Sequence, residues 1–184
     1  MIPIQVLSRY ALADKARLGE QMYSHCISIS DPDESIPAEA VDTFAEVLSL
    51  RFHDITSRRD LPQAIRARPP RMRHVRRILR FYRRTRAQAC GYTIHCHAGV
   101  HRSTAVALFI LYLETGSEQR AAEELLRLKP LPMPNTRLVR LFDRHAGSQL
   151  EQHNTALWSR ARDFAAGRVN IDPDDYLEEL EAED

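Results

Sequence analysis

Short apolar segments alternate with longer amphipathic segments along the chain. The short segments, residues 4–7, 26–29, 48–52 and 92–95, have the length and the β-branched or alternating content of strands. The longer segments have helical periodicity and cover residues 11–22, 36–48, 74–86, 102–115, 118–128, 136–145 and 154–166. Strands that alternate with helices predict an α/β fold, with a central, mostly parallel sheet of four to five strands flanked by helices.

Two of the predicted helices have different surroundings. The helix at 74–86 carries its apolar side chains on a single face: Val75, Ile78, Leu79 and Tyr82. Arginines occupy the opposite face, so we expect an amphipathic helix at the surface. The helix that starts near Arg102 is apolar on every side over residues 105–113 and ends at Gly116, which predicts a buried, central helix. The polar stretch from His53 to Pro70 is longer than an ordinary connecting loop in a compact domain, which indicates a functional loop.

Length and composition limit the class of protein. With 184 residues, 43% of them hydrophobic, the chain can bury one core. We therefore expect a single domain over residues 1–170 and an acidic C-terminal tail over residues 171–184. The longest apolar run has nine residues, too few to span a bilayer, and no basic leader precedes the first apolar residues. Three cysteines are too few for a disulfide scaffold and favour a reducing, cytoplasmic location.

Charge is distributed unevenly along the chain although the net charge is +1. Thirteen arginines lie between Arg51 and Arg86, against Asp54 and Asp60. Eight carboxylates and no basic residue lie between Asp172 and Asp184. The basic stretch could attract a phosphorylated protein, an inositol phosphate, nucleic acid or the acidic tail. The alternative is that most of these arginines form the solvated face of a helix.

The segment around Cys96 carries the chemistry. Cys96 ends a predicted strand, five residues follow, and Arg102 opens the buried helix. Ligands bind at the carboxyl ends of strands in open α/β sheets, and a tight loop before a helix binds anions through its N–H groups. Gly99 permits such a turn, and Arg102 can hold two phosphate oxygens at once. The same groups favour the thiolate of Cys96, a nucleophile placed for attack on a bound phosphate.

Two other interpretations of this segment are weaker. His95, Cys96, His97 and His101 lack the paired spacing of zinc ligands. The residues from Gly99 to Thr104 lack the glycine spacing and the lysine of a nucleotide-binding loop. We therefore expect no metal and no cofactor.

The segment resembles the Cys-x5-Arg signature of the protein tyrosine phosphatase superfamily, HCxxGxxR[ST], and most of all its small bacterial dual-specificity-like branch. The matching residues are His95, Cys96, Gly99, Arg102 and Ser103. The pair Pro134-Asn135 is similar to the family's Pro-Asn turn. The resemblance implies a cysteine-dependent phosphatase, a hydrolase that forms a phosphocysteine intermediate and acts on a phosphorylated protein or another phosphomonoester. Neither a membrane span nor a nucleic-acid partner is expected.

The same resemblance assigns roles to individual residues. Phosphate is held by Arg102 and by the backbone of His97, Ala98, Gly99, Val100 and His101. Ser103 assists the departure of the cysteine, Asn135 braces the loop, and His95 supports it. The resemblance implies a phosphorylated protein as the substrate of a tyrosine or dual-specificity phosphatase. The alternatives are an inositol polyphosphate, a phosphoinositide or an RNA 5′-phosphate, or a catalytically inactive phosphate-binding module.

Two assignments stay open. The family supplies a general acid from a loop upstream of the cysteine. Asp54 follows a strand at the correct edge of the sheet, and Asp60 competes from the same loop. Asp54 precedes Cys96 by 42 residues, a gap longer than in small members of the branch. Cys90 could pair with Cys96 on oxidation, or it could be a packing residue at a helix end.

Overall fold

Four short parallel strands form the centre of this computed structural model, which describes residues 1–56 and 67–168. They are β1 (Ile4–Leu7), β2 (His25–Ser30), β3 (Glu46–Arg51) and β4 (Tyr92–His95). The strands pair in the order β1-β4-β2-β3, and every pairing is parallel. The predicted α/β fold with a parallel central sheet is thereby confirmed, with four strands in the described part of the chain.

Six α-helices are connected to these strands or follow them. They are α1 (Arg9–Leu18), α2 (Met72–Thr85), α3 (Arg102–Thr115), α4 (Glu118–Leu128), α5 (Thr136–Ala146) and α6 (Leu150–Ala165) in the described residues. Within these residues, no helix has both the length and the apolar character needed to cross a membrane.

The sheet buries apolar side chains on both faces. Ile27 and Ile29 of β2 join a large cluster that also contains side chains of helices α2 to α6. Cys26, which points to the opposite face, joins a smaller cluster with Leu12 of α1 and Phe44. The alternation follows from the two-residue period of a strand. The central strands are therefore fully covered, and only their ends are accessible to a ligand.

Helices α2 and α3 agree with their sequence patterns. In α2 the predicted inner face is buried, and the arginines lie on the exposed face. Two of these arginines bind elsewhere on the molecule: Arg77 donates to the Ser49 carbonyl, and Arg84 pairs with Glu46. Arg86, directly after α2, pairs with Glu114. Helix α3 is buried from Arg102 to Leu111 and ends at Gly116, whose φ of 66° is left-handed. The prediction of a central helix is confirmed.

The prediction of a helix over residues 36–48 is wrong. The chain forms a short 3-10 helix at Ala38–Thr43, and β3 begins at Glu46. Ala40 and Phe44 do pack inward with helical spacing, against the smaller cluster. Val47 and Leu48, however, pair with Cys26 and Ile27 of β2. The hydrogen bonds of the sheet therefore override a periodicity that is helical by local pattern alone.

Candidate active site

Three neighbouring strands end at one edge of the sheet and carry polar or reactive side chains there. Asp31 follows β2, Asp54 lies three residues after β3, and Cys96 follows β4. Strand β4 lies between β1 and β2, so Cys96 emerges near the middle of the edge. This is the edge at which open parallel sheets bind their ligands.

The backbone of residues 97–101 leaves its N–H groups available. The carbonyl of His97 accepts from the Arg9 N–H at 3.0 Å, that of Val100 from Met133 at 3.2 Å, and that of His101 from Asn135 at 3.0 Å. These carbonyls therefore point out of the loop. None of the five N–H groups donates a hydrogen bond to any residue within 1–56 or 67–168. Successive free N–H groups in a tight turn before a helix can form an anion-binding concavity, here at the start of α3.

Gly99 is required by the geometry of this loop. Its φ is +71°, a conformation that other residues adopt at a cost. A Cβ atom at this position would lie 2.8 Å from the Ser8 nitrogen and 2.9 Å from the Leu7 carbonyl carbon. Both contacts are with backbone at the end of β1, which cannot move aside without disturbing the sheet. The loop therefore packs against β1 at its sharpest bend.

Cys96 lies at the base of the loop beside Ser103. Its side chain is buried, and its Sγ lies 3.1 Å from the Ser103 Oγ. Ser103 occupies the first turn of α3 and is itself fully buried. When Cys96 is a thiolate, the hydroxyl of Ser103 can donate a hydrogen bond to the sulfur.

Arg102 is 3% exposed and lies between two carboxylates. Its Nη1 donates to Asp31 Oδ1 at 2.6 Å and to the Phe52 carbonyl at 2.9 Å. Its Nε is 3.8 Å from Asp54 Oδ2 and has no hydrogen-bond partner among the described residues. Nη1 of the guanidinium is thus anchored, whereas Nε forms no hydrogen bond with the described part of the chain.

Asp54 is held by three neighbours at the rim of the loop. Its Oδ2 accepts from His101 Nδ1 at 3.0 Å, and its Oδ1 accepts from Asn135 Nδ2 at 2.7 Å. Burial raises the pKa of Asp54. The hydrogen bonds from His101 and Asn135 and the charge of Arg102 outweigh burial and hold the pKa below its ordinary value. In the ligand-free site, Asp54 is therefore a carboxylate at neutral pH.

Asn135 and Trp158 support this arrangement from outside the loop. The Asn135 side chain caps α5 by accepting from the Leu138 N–H at 2.9 Å, while its amide group binds Asp54. The ring of Trp158, on α6, stacks on the His101 ring with a centroid distance of 5.5 Å. Its Nε1 donates to the Pro134 carbonyl at 2.9 Å. Asn135 thus joins the loop, the carboxylate and a helix.

His95 stabilises the strand that delivers Cys96. The side chain is 1% exposed, and its Nε2 lies 2.8 Å from the Ser28 Oγ on β2. Burial lowers the pKa of His95 to about 4, so the ring is neutral at neutral pH. His95 therefore acts as a neutral hydrogen-bonding group between two central strands.

The structure brings most of the residues named from the sequence into one site: His95, Cys96, the loop from His97 to His101, Arg102, Ser103, Asn135 and Asp54. Asp60 lies outside the described residues. Asp31 and Trp158 also belong to this site, although the sequence pattern predicted no site role for them. Asp31 had a usable signal, because an aspartate directly after a buried parallel strand lies at the ligand-binding edge. Trp158 had none, since it approaches from α6, distant in sequence.

This fold is not compatible with a disulfide between Cys90 and Cys96. Cys90 precedes β4 and Cys96 follows it, so the two residues lie at opposite ends of the strand. The four residues of β4 between them already span about 10 Å. A disulfide requires Cα atoms within about 7 Å. The Cys90 sulfur instead accepts a hydrogen bond from the Ser24 N–H at 3.3 Å.

Comparison of the fold with solved structures finds similar proteins at low sequence identity. DUSP15 is 17% identical with a TM-score of 0.58, over 87% of this chain and 93% of that one. Human DUSP28 is 17% identical with a TM-score of 0.55, over 85% and 94%. PTPMT1, in a complex with PI(5)P, is 14% identical with a TM-score of 0.51, over 87% and 90%.

Sequence comparisons add nothing to this result, since no protein-family model matches the chain and no curated protein is similar to it. The structural likeness extends over most of the chain and over nearly the whole of each neighbour. The chain therefore has the fold of the tyrosine and dual-specificity phosphatases, as the resemblance around Cys96 implied.

Proposed function

We propose that this protein is a phosphomonoester hydrolase, a tyrosine or dual-specificity protein phosphatase that acts through a cysteinyl-phosphate intermediate. The observation that carries the proposal is the loop of residues 97–101, at the base of which Cys96 lies. Its five N–H groups are free of other described partners, and the unpaired Nε of Arg102 lies at the same edge of the sheet. An anion held by these groups places its phosphorus above the Cys96 sulfur.

In the first step the Cys96 thiolate attacks phosphorus. The S–P bond forms as the bond to the leaving oxygen breaks, and the leaving oxygen takes the bonding electron pair. Asp54 donates its proton to that oxygen, which produces an alcohol or phenol, the cysteinyl phosphate and the Asp54 carboxylate. A bound phosphate dianion is a like charge beside Asp54 and favours the protonated form that this step needs.

In the second step water hydrolyses the intermediate. The Asp54 carboxylate accepts a proton from the water as its oxygen attacks phosphorus and the P–S bond breaks. Cys96 departs as a thiolate and receives a hydrogen bond from Ser103, whose Oγ lies 3.1 Å from the sulfur. Asp54 is then protonated in the product complex. When inorganic phosphate leaves, Asp54 releases this proton to solvent and returns to the carboxylate of the ligand-free site.

Aromatic side chains on two sides of the loop support a preference for an aryl phosphate. Tyr10 meets the exposed His97 ring edge-on at 5.9 Å and is 68% exposed. Trp158 stacks on His101 at the other side. Rings that flank a phosphate site can pack against a phenyl ring by stacked or edge-on contacts. This arrangement favours phosphotyrosine over phosphoserine.

A substrate panel on the purified protein tests the proposal. We expect release of phosphate from p-nitrophenyl phosphate without added metal. Among physiological classes we expect a higher kcat/KM for phosphotyrosine peptides than for phosphoserine peptides, phosphoinositides or 5′-phosphorylated RNA. A preference for a phosphoinositide or for RNA would contradict the substrate assignment. Failure to hydrolyse any member while phosphate still binds would leave a binding module and refute the enzymatic function.

The pH dependence tests the role of Asp54. Its lowered pKa means that raising the pH removes the proton needed in the first step, so kcat/KM for phenyl phosphate should fall as the pH rises. Asp54→Asn should reduce kcat/KM by about 10²–10⁴-fold and flatten this alkaline limb. A substrate with a very good leaving group should lose less.

Asp60→Asn is the matched control for this variant. It removes a carboxylate from the same connection and should leave both the rate and the pH profile unchanged. If Asp60→Asn flattens the alkaline limb and Asp54→Asn does not, the general acid is Asp60.

A further inference from the structure

Asp31 contacts the phosphate-binding arginine although no motif in the sequence includes it. Its Oδ1 accepts from Arg102 Nη1 at 2.6 Å, a short distance typical of a charge-assisted hydrogen bond. The Asp31 side chain is 38% exposed, whereas that of Arg102 is 3% exposed. A buried guanidinium needs a close counter-charge, and Asp31 supplies it from the end of the neighbouring strand β2.

The contact with Asp31 engages one nitrogen of the guanidinium only. Nη1 is anchored twice, by Asp31 and by the Phe52 carbonyl at 2.9 Å. Phe52 is fully buried and stacks on His74 at 4.7 Å, so its carbonyl is a fixed acceptor. Nε is buried and has no partner in the described residues. Two acceptors on Nη1 define the plane of the guanidinium and leave the edge formed by Nε and Nη2 available.

We infer that Asp31 is a positioning residue for phosphate binding: it holds Nη1 of Arg102 so that the Nε–Nη2 edge faces the loop formed by residues 97–101. This inference rests on the proposed function, because it assigns that edge to the phosphate. A guanidinium fixed in this orientation forms two parallel hydrogen bonds to the anion without losing rotamer freedom at the moment of binding.

The segment that carries Asp31 is itself held in place. The Asp31 carbonyl accepts from the Glu34 N–H at 3.0 Å, which closes a turn. Arg9, the first residue of α1, donates through its side chain to the Ser35 carbonyl. The backbone N–H of Arg9 binds the His97 carbonyl of the phosphate loop at 3.0 Å. Arg9 thus ties the Asp31 turn and the loop to the same helix terminus.

The alternative is that Asp31 competes with phosphate for the arginine. The two cases predict opposite signs. If Asp31 competes, its removal frees Arg102 and oxyanions bind more tightly. If Asp31 positions Arg102, its removal releases the guanidinium and oxyanions bind more weakly. The structure favours positioning, because Nε of Arg102 donates no hydrogen bond to any described residue while Nη1 is bound by Asp31.

Oxyanion binding to a Cys96→Ser background, measured by calorimetry with inorganic phosphate and tungstate, separates these cases. Asp31→Asn keeps the size and an acceptor oxygen but loses the charge, and it should weaken binding by about 10–100-fold, the range for a charged hydrogen bond. Asp31→Glu keeps the charge and should recover part of the affinity. Asp33→Asn, an exposed carboxylate two residues away, should leave affinity unchanged. Unchanged or tighter binding by Asp31→Asn overturns the inference.

A spectroscopic signal distinguishes positioning from a general loss of structure. The Arg102 Nε–H resonance should shift on addition of phosphate in the Cys96→Ser protein and shift less in the Asp31→Asn version. Before phosphate is added, the backbone amide resonances outside the site should be the same in the two proteins. Widespread changes in those resonances would mean that Asp31 supports the fold and would refute the specific role. These measurements need no turnover. An inactive wild type would therefore defeat the proposed function and still leave the role of Asp31 decided by binding.

Discussion

Cys96→Ser should abolish turnover of every phosphomonoester and leave phosphate binding intact. A serine hydroxyl is a poor nucleophile without a base, and Asp54, the proposed acid, lies at the rim with His101 and Asn135 rather than beside Cys96. The loop N–H groups and Arg102 are unaffected, so the anion site persists. We expect kcat to fall by at least about 10³-fold, measured as phosphate release from p-nitrophenyl phosphate.

Cys90→Ser is the matched control. It removes a thiol from the opposite end of β4, where the sulfur contacts Ser24, and should leave kcat unchanged. Binding of phosphate to Cys96→Ser should stay within about threefold of the wild type, because none of the binding groups is altered. Residual activity above about one hundredth in Cys96→Ser would mean that the reaction does not proceed through a covalent intermediate on this residue.

Arg102→Lys should reduce kcat/KM by about 10²–10³-fold, the usual loss when a charged transition-state donor is removed. Lysine keeps the positive charge between Asp31 and Asp54, so the two carboxylates stay compensated. It cannot replace Nη1 and Nε together, because a single ammonium group has no planar fork. The loss should therefore be in phosphate affinity and rate, with little change in the unfolding temperature.

The control is Arg76→Lys on the exposed face of α2, which should leave kcat/KM unchanged. Measurement of kcat and KM separately shows where the loss occurs. If Arg102→Lys raises KM alone and leaves kcat intact, the arginine binds substrate and transition state equally and has no specific part in the chemical step. If neither constant changes, the phosphate does not lie on this arginine.

Local pattern was sufficient for most of the secondary structure. Strand β1, strand β4 and helix α3 occur where their patterns place them, because each is a largely buried segment with a clear local pattern. The prediction for residues 36–48 failed because the first part of this segment has helical spacing and its last residues belong to strand β3. Pairing of Val47 and Leu48 with β2 decided between them, and a partner strand is not visible in a local window.

The residues of the site also differ in whether local sequence is enough to predict them. Cys96, Gly99, Arg102 and Ser103 lie within eight residues of continuous chain, so their spacing alone places thiol, loop and guanidinium together. Asp54 could be proposed from its position after a strand. Its bonds to His101 and Asn135 and its lowered pKa could not, because those partners are 47 and 81 residues away.

By itself, therefore, the sequence determined the local unit of this protein: a strand, an anion-binding turn and a buried helix, with the nucleophile and the arginine attached. Dihedral preferences and side-chain periodicity act over a few residues, and they suffice for such a unit. Only the tertiary structure decided which groups surround it. The order β1-β4-β2-β3 places the ends of β2 and β3 on one side of Cys96 and brings Asp31 and Asp54 to Arg102. That order depends on burial summed over both faces of the sheet, a property of the whole chain that no short segment carries.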